Sequence, residues 1–173
     1  MRTLTAGLAA VALLAAHPSS ASAQGRPIEF GIDGAAQVFL EDPRVTLVGI
    51  PVQQFRVGFF TSPTVSVEPT LGITVLRVEG FNVTEVGLGL GVLFHTSRDR
   101  TRTQTYFRPF LGVNSVSAGG ESDSAGLLGI GAGIKAPFLP RLAGRFEGFL
   151  AHQFDDGGVT SVGVTFGLSF FPR

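Results

Sequence analysis

Ten residues close to the end of the chain, Ser161-Val162-Gly163-Val164-Thr165-Phe166-Gly167-Leu168-Ser169-Phe170, alternate without a break. Val162, Val164, Phe166, Leu168 and Phe170 form one set, and Ser161, Gly163, Thr165, Gly167 and Ser169 the other. Successive side chains of a strand point to opposite faces, so this period makes a strand with one apolar face and one small, polar face. A helix would scatter both sets around its circumference. Such a strand can be half of a soluble sheet or a wall of a transmembrane barrel, and the sequence upstream separates the two.

The start of the sequence reads as a leader. Arg2 is a positive start, Leu4 to Ala16 is a short apolar stretch, and Ala21-Ser22-Ala23 is a small-x-small cleavage site. That order predicts a secretory signal peptide over 1–23 and one domain over 24–173. Cysteine is absent, which excludes a disulfide scaffold and any thiolate chemistry. Thirteen basic and thirteen acidic residues cancel, so the chain has no nucleic-acid footprint. Charged residues make up 15%, against roughly 25% in an average soluble domain. The longest apolar run, Ala125 to Ile134, is too short and too rich in glycine for a transmembrane helix.

Turn-forming clusters fall at even intervals: Glu41-Asp42-Pro43, Ser62-Pro63, Glu79-Gly80, Ser97 to Thr103, Gly119 to Asp123, Leu139-Pro140 and Asp155 to Gly158. They bound eight strands at 28–40, 44–61, 64–78, 82–95, 104–117, 125–138, 141–154 and 159–171. About 9–11 tilted residues cross a bilayer. An even number of antiparallel strands lets the first pair with the last, leaving no edge. The prediction is an all-β, eight-stranded, antiparallel up-and-down transmembrane β-barrel.

Parity along these strands decides which face is inside. The face that carries Ser161 and Gly163 also collects most strand glycines, including Gly31, Gly58, Gly87, Gly89, Gly91, Gly129, Gly131 and Gly133. The apolar face has Gly34, Gly126, Gly144 and Gly148, and the irregular start of the second strand leaves Gly49 unassigned. The interior of an eight-stranded barrel is only wide enough for side chains to fill, so its inner face needs small residues. Charge follows glycine: Glu29, Asp33, Arg56, Glu68, Glu85, Arg108, Lys135, Arg145 and Glu147 all take inward parity, and we expect them to form a lumenal ion-pair network. On a lipid face an Arg or Lys at the midplane would cost about 2–4 kcal/mol. Phe39, Phe94, Phe138, Phe154 and Phe170 near strand ends fit an interfacial girdle.

The last strand resembles the assembly signal of bacterial outer-membrane barrels. That signal is a polar residue, a glycine two places on, two spaced hydrophobics and a terminal aromatic, here Ser161, Gly163, Phe166, Leu168 and Phe170. Phe171-Pro172-Arg173 extends past the usual end. From Ile28 to Phe171 the chain resembles small outer-membrane β-barrel proteins of the broad OmpA/OmpX-like class. Phe55-Arg56-Val57-Gly58-Phe59-Phe60 and Ser66-Val67-Glu68-Pro69 are further segments that carry the likeness. The resemblance implies residence in the bacterial outer membrane among its lipids and insertion by the barrel-assembly machinery; a monomer is the expected state. The resemblance implies no activity.

No constellation for a cofactor or metal stands out, and the three histidines are scattered. Gly87-x-Gly89-x-Gly91 and Gly129-x-Gly131-x-Gly133 repeat at the strand period, unlike phosphate loops. His95-Thr96-Ser97 resembles the His-x-Ser of lipid A deacylases, in which histidine could activate serine, but no orienting glutamate follows it. A non-enzymatic barrel with a plugged polar interior and an envelope role is the leading reading. Its main rival is a secreted or periplasmic lipocalin-like carrier of a hydrophobic ligand, with the two faces reversed. A lipid A-modifying hydrolase and a small pore are the others, and Phe110 and Phe149, also inward, argue against a pore.

Overall fold

The computed structural model describes residues 28–40, 46–78, 81–99, 101–154 and 158–172. The expected signal peptide, residues 1–23, lies outside them. Eight strands follow one another: β1 (Ile28–Phe39), β2 (Thr46–Ser62), β3 (Val65–Val78), β4 (Phe81–His95), β5 (Gln104–Ala118), β6 (Glu121–Leu139), β7 (Leu142–Phe154) and β8 (Val159–Phe170). Each pairs antiparallel with the next, and β8 returns to β1 with Phe30 opposite Phe170 and Phe39 opposite Ser161, closing the barrel.

Residues opposite one another in an antiparallel pair share a face, so the register carries parity around the ring. The apolar set points out. Phe55, Leu88, Ile130, Phe146, Phe166 and Leu168 are each between 41% and 59% exposed. The polar set points in and is buried, with Glu29, Glu68, Glu147 and Ser169 at 0%. A soluble protein does the reverse. A continuous belt of exposed Leu, Ile, Val and Phe is stable where the surroundings are hydrocarbon, and the closed ladder leaves no unpaired strand edge facing it.

Local sequence explains the departures from an even ladder. Between β1 and β2 the register jumps from Asp33 opposite Gln54 to Ala35 opposite Gly49. Pro51, which has no amide hydrogen to give, lies in that stretch. The β5–β6 connection is shorter than the sequence predicts: the strands run to Ala118 and from Glu121, and only Gly119 and Gly120 turn the chain. Both have positive φ, 59° and 92°, the backbone that a two-residue hairpin loop requires and that glycine adopts without a steric penalty. One girdle residue is corrected. Phe39 lies opposite Ser161 and so shares the lumenal face, because the alternation of β1 against β8 is unbroken. Phe94, Phe138, Phe154 and Phe170 do face outward, 44–57% exposed.

Candidate functional site

The lumen on the side of the two chain termini is filled by ion pairs. Arg56 of β2 is 2% exposed and reaches Glu29, Asp33 and Glu68 at 2.5, 2.7 and 3.3 Å. Its remaining donors go to the Ser169 hydroxyl at 2.6 Å and the Leu168 carbonyl at 3.2 Å. Lys135 Nζ of β6 is 2.6 Å from the other oxygen of Glu29. Arg145 of β7 donates to both oxygens of Glu68 at 2.8 Å, and to Glu147 at 2.7 Å. Arg108 of β5 makes a close, two-pronged contact with Glu147. The Tyr106 hydroxyl sits between them: it donates to Glu147 at 2.8 Å and accepts from Arg145 Nε at 2.7 Å.

Two features make this arrangement stable where charge burial is otherwise costly. Four acids (Glu29, Asp33, Glu68, Glu147) meet four bases (Arg56, Arg108, Lys135, Arg145), so the cluster is neutral. Most of their hydrogen-bonding groups are engaged, which offsets the desolvation that each ion suffers. Glycine supplies the room. A Cβ at Gly131 would stand 2.6 Å from Glu147 Oε1, and one at Gly91 would stand 3.0 Å from Arg108 Cδ. Gly31 likewise lies against the guanidinium of Arg56. The small inward residues are what allow long charged side chains from neighbouring strands to meet on the axis. The Arg145–Glu68 pair spans strands four apart in a ring of eight, so it crosses the full lumen.

Apolar groups cap the cluster at both levels. Toward the termini, Phe60 and Leu93 are at most 4% exposed. In the other direction the rings of Phe110 and Phe149 meet edge-on at 6.5 Å. Arg108 lies over the Phe110 face at 4.3 Å, an attraction of the ring quadrupole for the cation. Phe149 lies against Gly163, where a Cβ would be 2.5 Å from its ring.

Eight of the nine charges expected in the network are brought together. Glu85 is not. It has the inward parity, but it lies opposite Val116, whose partner on β6 is Asp123, close to the Gly119–Gly120 turn. No ion pair reaches it among the described residues. With Glu121 and Asp123 it marks an acidic rim at the end away from the termini. Parity reports only a face; the signal that separates Glu85 is its place near the start of the fourth strand, at the end away from the termini.

The residues of the terminal pattern are disposed as their parity predicts. Ser161 is 6% exposed, Gly163 faces the lumen, and Phe166, Leu168 and Phe170 are 41–44% exposed on the outside. Tyr106 and Ser169 are members of the network that the charge pattern passed over. Inward parity beside Arg108, in the chain's one tyrosine, was the available signal for the first. His95-Thr96-Ser97 does not form a dyad of its own. β4 ends at His95, whose Nε2 is 3.0 Å from Ser66 Oγ of β3 and whose ring stacks on Phe60 at 5.3 Å. Ser97 lies in the following turn, where its hydroxyl accepts from the Asp99 amide at 3.1 Å. No group of three or more metal-binding side chains occurs among the described residues.

No protein-family model matches the chain, and no curated protein matches its sequence. Solved structures do match in shape. Neisserial surface protein A superposes with a TM-score of 0.64 at 11% identity, over 83% of this chain and 96% of that one. Ail, the attachment invasion locus protein of Yersinia pestis, gives 0.54 at 15% identity, over 85% and 99%. The outer membrane enzyme PagL gives 0.50 at 14% identity, over 78% and 97%. The chain therefore has the fold of the small eight-stranded outer-membrane β-barrels, as the sequence pattern predicts. An enzyme stands among the proteins with this shape, so the fold leaves the activity open.

Proposed function

We propose that this protein is a non-enzymatic barrel of the bacterial outer membrane whose lumen is sealed, and that it serves the envelope as a structural element. The observation that carries the reading is the neutral, buried ion-pair cluster joined across the lumen by Arg145 and Glu68. Seven of the eight strands contribute a side chain to it, so it braces the wall from inside while obstructing the passage. Outer-membrane lipids are the partner of the apolar belt, the barrel-assembly machinery is the partner during insertion, and the folded form is a monomer. Planar-bilayer recording of the refolded mature chain tests the seal. No steady conductance is expected, and a persistent open level would contradict it.

The rival readings are disfavoured by particular contacts. A lipocalin-like carrier needs an apolar cavity, whereas here the centre of the interior is taken by buried ions, with a few aromatic side chains packed against them. A carrier would be released by an alkaline carbonate wash; the barrel should need detergent. A lipid A hydrolase would need Ser97 beside His95, and Ser97 is engaged in its own turn. Ser97→Ala should leave the acylation of lipid A unchanged.

A further inference from the structure

The two rims carry opposite charge. At the end away from the termini, Glu121 and Asp123 are exposed and Glu85 is half-buried. In sequence, the other connections at that end contain Glu41, Asp42, Glu79, Asp155 and Asp156 against Arg44, and Arg77 is near the end of β3, so acids outnumber bases there. The opposite end is basic. Arg98 and Arg102 stand on the β4–β5 turn with Arg100 between them in sequence, and Arg141 stands on the β6–β7 turn.

Among the described residues, hydrogen bonds shape the β4–β5 turn around Arg98 and Arg102. Its one acid, Asp99, is used within the turn: its carboxylate accepts from the Thr101 hydroxyl at 2.6 Å and the Thr101 amide at 2.9 Å. These hydrogen bonds hold the Asp99 carboxyl below its ordinary range. Gln104 Nε2 secures the base of the turn by donating to the Ser97 carbonyl at 2.8 Å. Arg98 is exposed, and the Arg102 side chain is 83% exposed, touching Asp99 at 3.3 Å. An exposed pair at that distance is weak, so its guanidinium keeps most of its capacity for another anion. On β6, the outward run Ile130, Ala132, Ile134, Ala136, Phe138 ends just before Pro140-Arg141. The arginine therefore sits where the apolar belt ends and headgroups begin.

We propose that this basic rim docks on the anionic phosphodiester headgroups of the phospholipids around it. The inference rests on the membrane reading above. Guanidinium groups match phosphate oxygens in a two-pronged geometry. Basic residues beside a membrane surface attract anionic lipid over about a Debye length.

The test uses the mature chain in phosphatidylcholine vesicles, with spin-labelled phosphatidylglycerol or spin-labelled phosphatidylcholine as probe. The association ratio of anionic to zwitterionic lipid should exceed unity several-fold at low salt and fall toward one at about 1 M salt, where the Debye length is about 3 Å. The triple variant R98Q/R102Q/R141Q should bring the ratio to one, and E121Q/D123Q on the other rim should leave it high. A ratio of one for the native chain, or one that the arginine variant keeps, would overturn the proposal. So would arginine-dependent retention on purified peptidoglycan sacculi without lipid selectivity. Failure of the native chain to form a heat-modifiable barrel in the vesicles would instead overturn the membrane reading, and this proposal with it.

Discussion

Arg145 donates to Glu68, Glu147 and Tyr106 from a site that is 4% exposed, so truncating it strands three groups at once. Arg145→Met should destabilise the barrel by about 3–5 kcal/mol, the usual consequence of leaving a buried charge without its partner. Arg145→Met with Glu68→Met should lose less than the two single changes added, because each single variant already contains the orphaned charge. Urea unfolding in lipid vesicles measures both; a single-variant loss below about 1 kcal/mol would mean that water screens the cluster. Glycine offers the complementary test. A Cβ at Gly129 would stand 2.7 Å from the Leu150 carbonyl oxygen and overlap the Phe110 ring, whereas one at Gly148 has no atom within 4 Å. Gly129→Ala should destabilise, and Gly148→Ala should stabilise by up to about 1 kcal/mol through the unfolded chain. The same residues mark what the sequence could disclose. A period of two assigns every charge to a face, which is why Arg145 and Glu68 were legible as lumenal. Parity alone groups Glu85 with them, although its place near the start of the fourth strand sets it at the other end; the pairing of Ser66 with His95 needs the exact register and rotamers.

At the level of the strand, the outward row of β6 crosses the belt from Leu128 to Phe138, with Ile130 at the middle of the element and 48% exposed. Ile130→Arg should cost about 2–4 kcal/mol in a bilayer, and unfolding of the refolded variant in vesicles would report it. A negligible cost would mean that this face meets water. The β5–β6 hairpin depends on its two glycines. Gly120, at a φ of 92°, has no neighbour within 4 Å of a Cβ, so Gly120→Val meets a backbone penalty rather than a clash and should slow or weaken folding while leaving the lumen intact. Strand positions were legible because turn residues recur between alternating runs. The two-residue length of this loop was not, since Glu121-Ser122-Asp123 has turn-like composition and is held extended by the partner strand, with Ser122 and Ser117 hydroxyls 2.8 Å apart. Tertiary pairing overrode local propensity there.

For the whole molecule, the decisive property is inversion: an apolar exterior around a polar, ion-paired interior in a ladder with no edge. Closure joins β1 to β8, so the barrel can form only when both ends of the chain have met, and once formed it resists local fraying. The alternation of Ser161–Phe170 contained this outcome in part, since it fixed two faces; glycines and charges distributed over the other seven strands determined which face is the interior. Migration of the detergent-extracted protein on a gel, unheated against boiled, tests the central claim most directly. A closed barrel braced from within should stay folded in detergent at room temperature and run ahead of its boiled form. Identical migration of the two samples would contradict it.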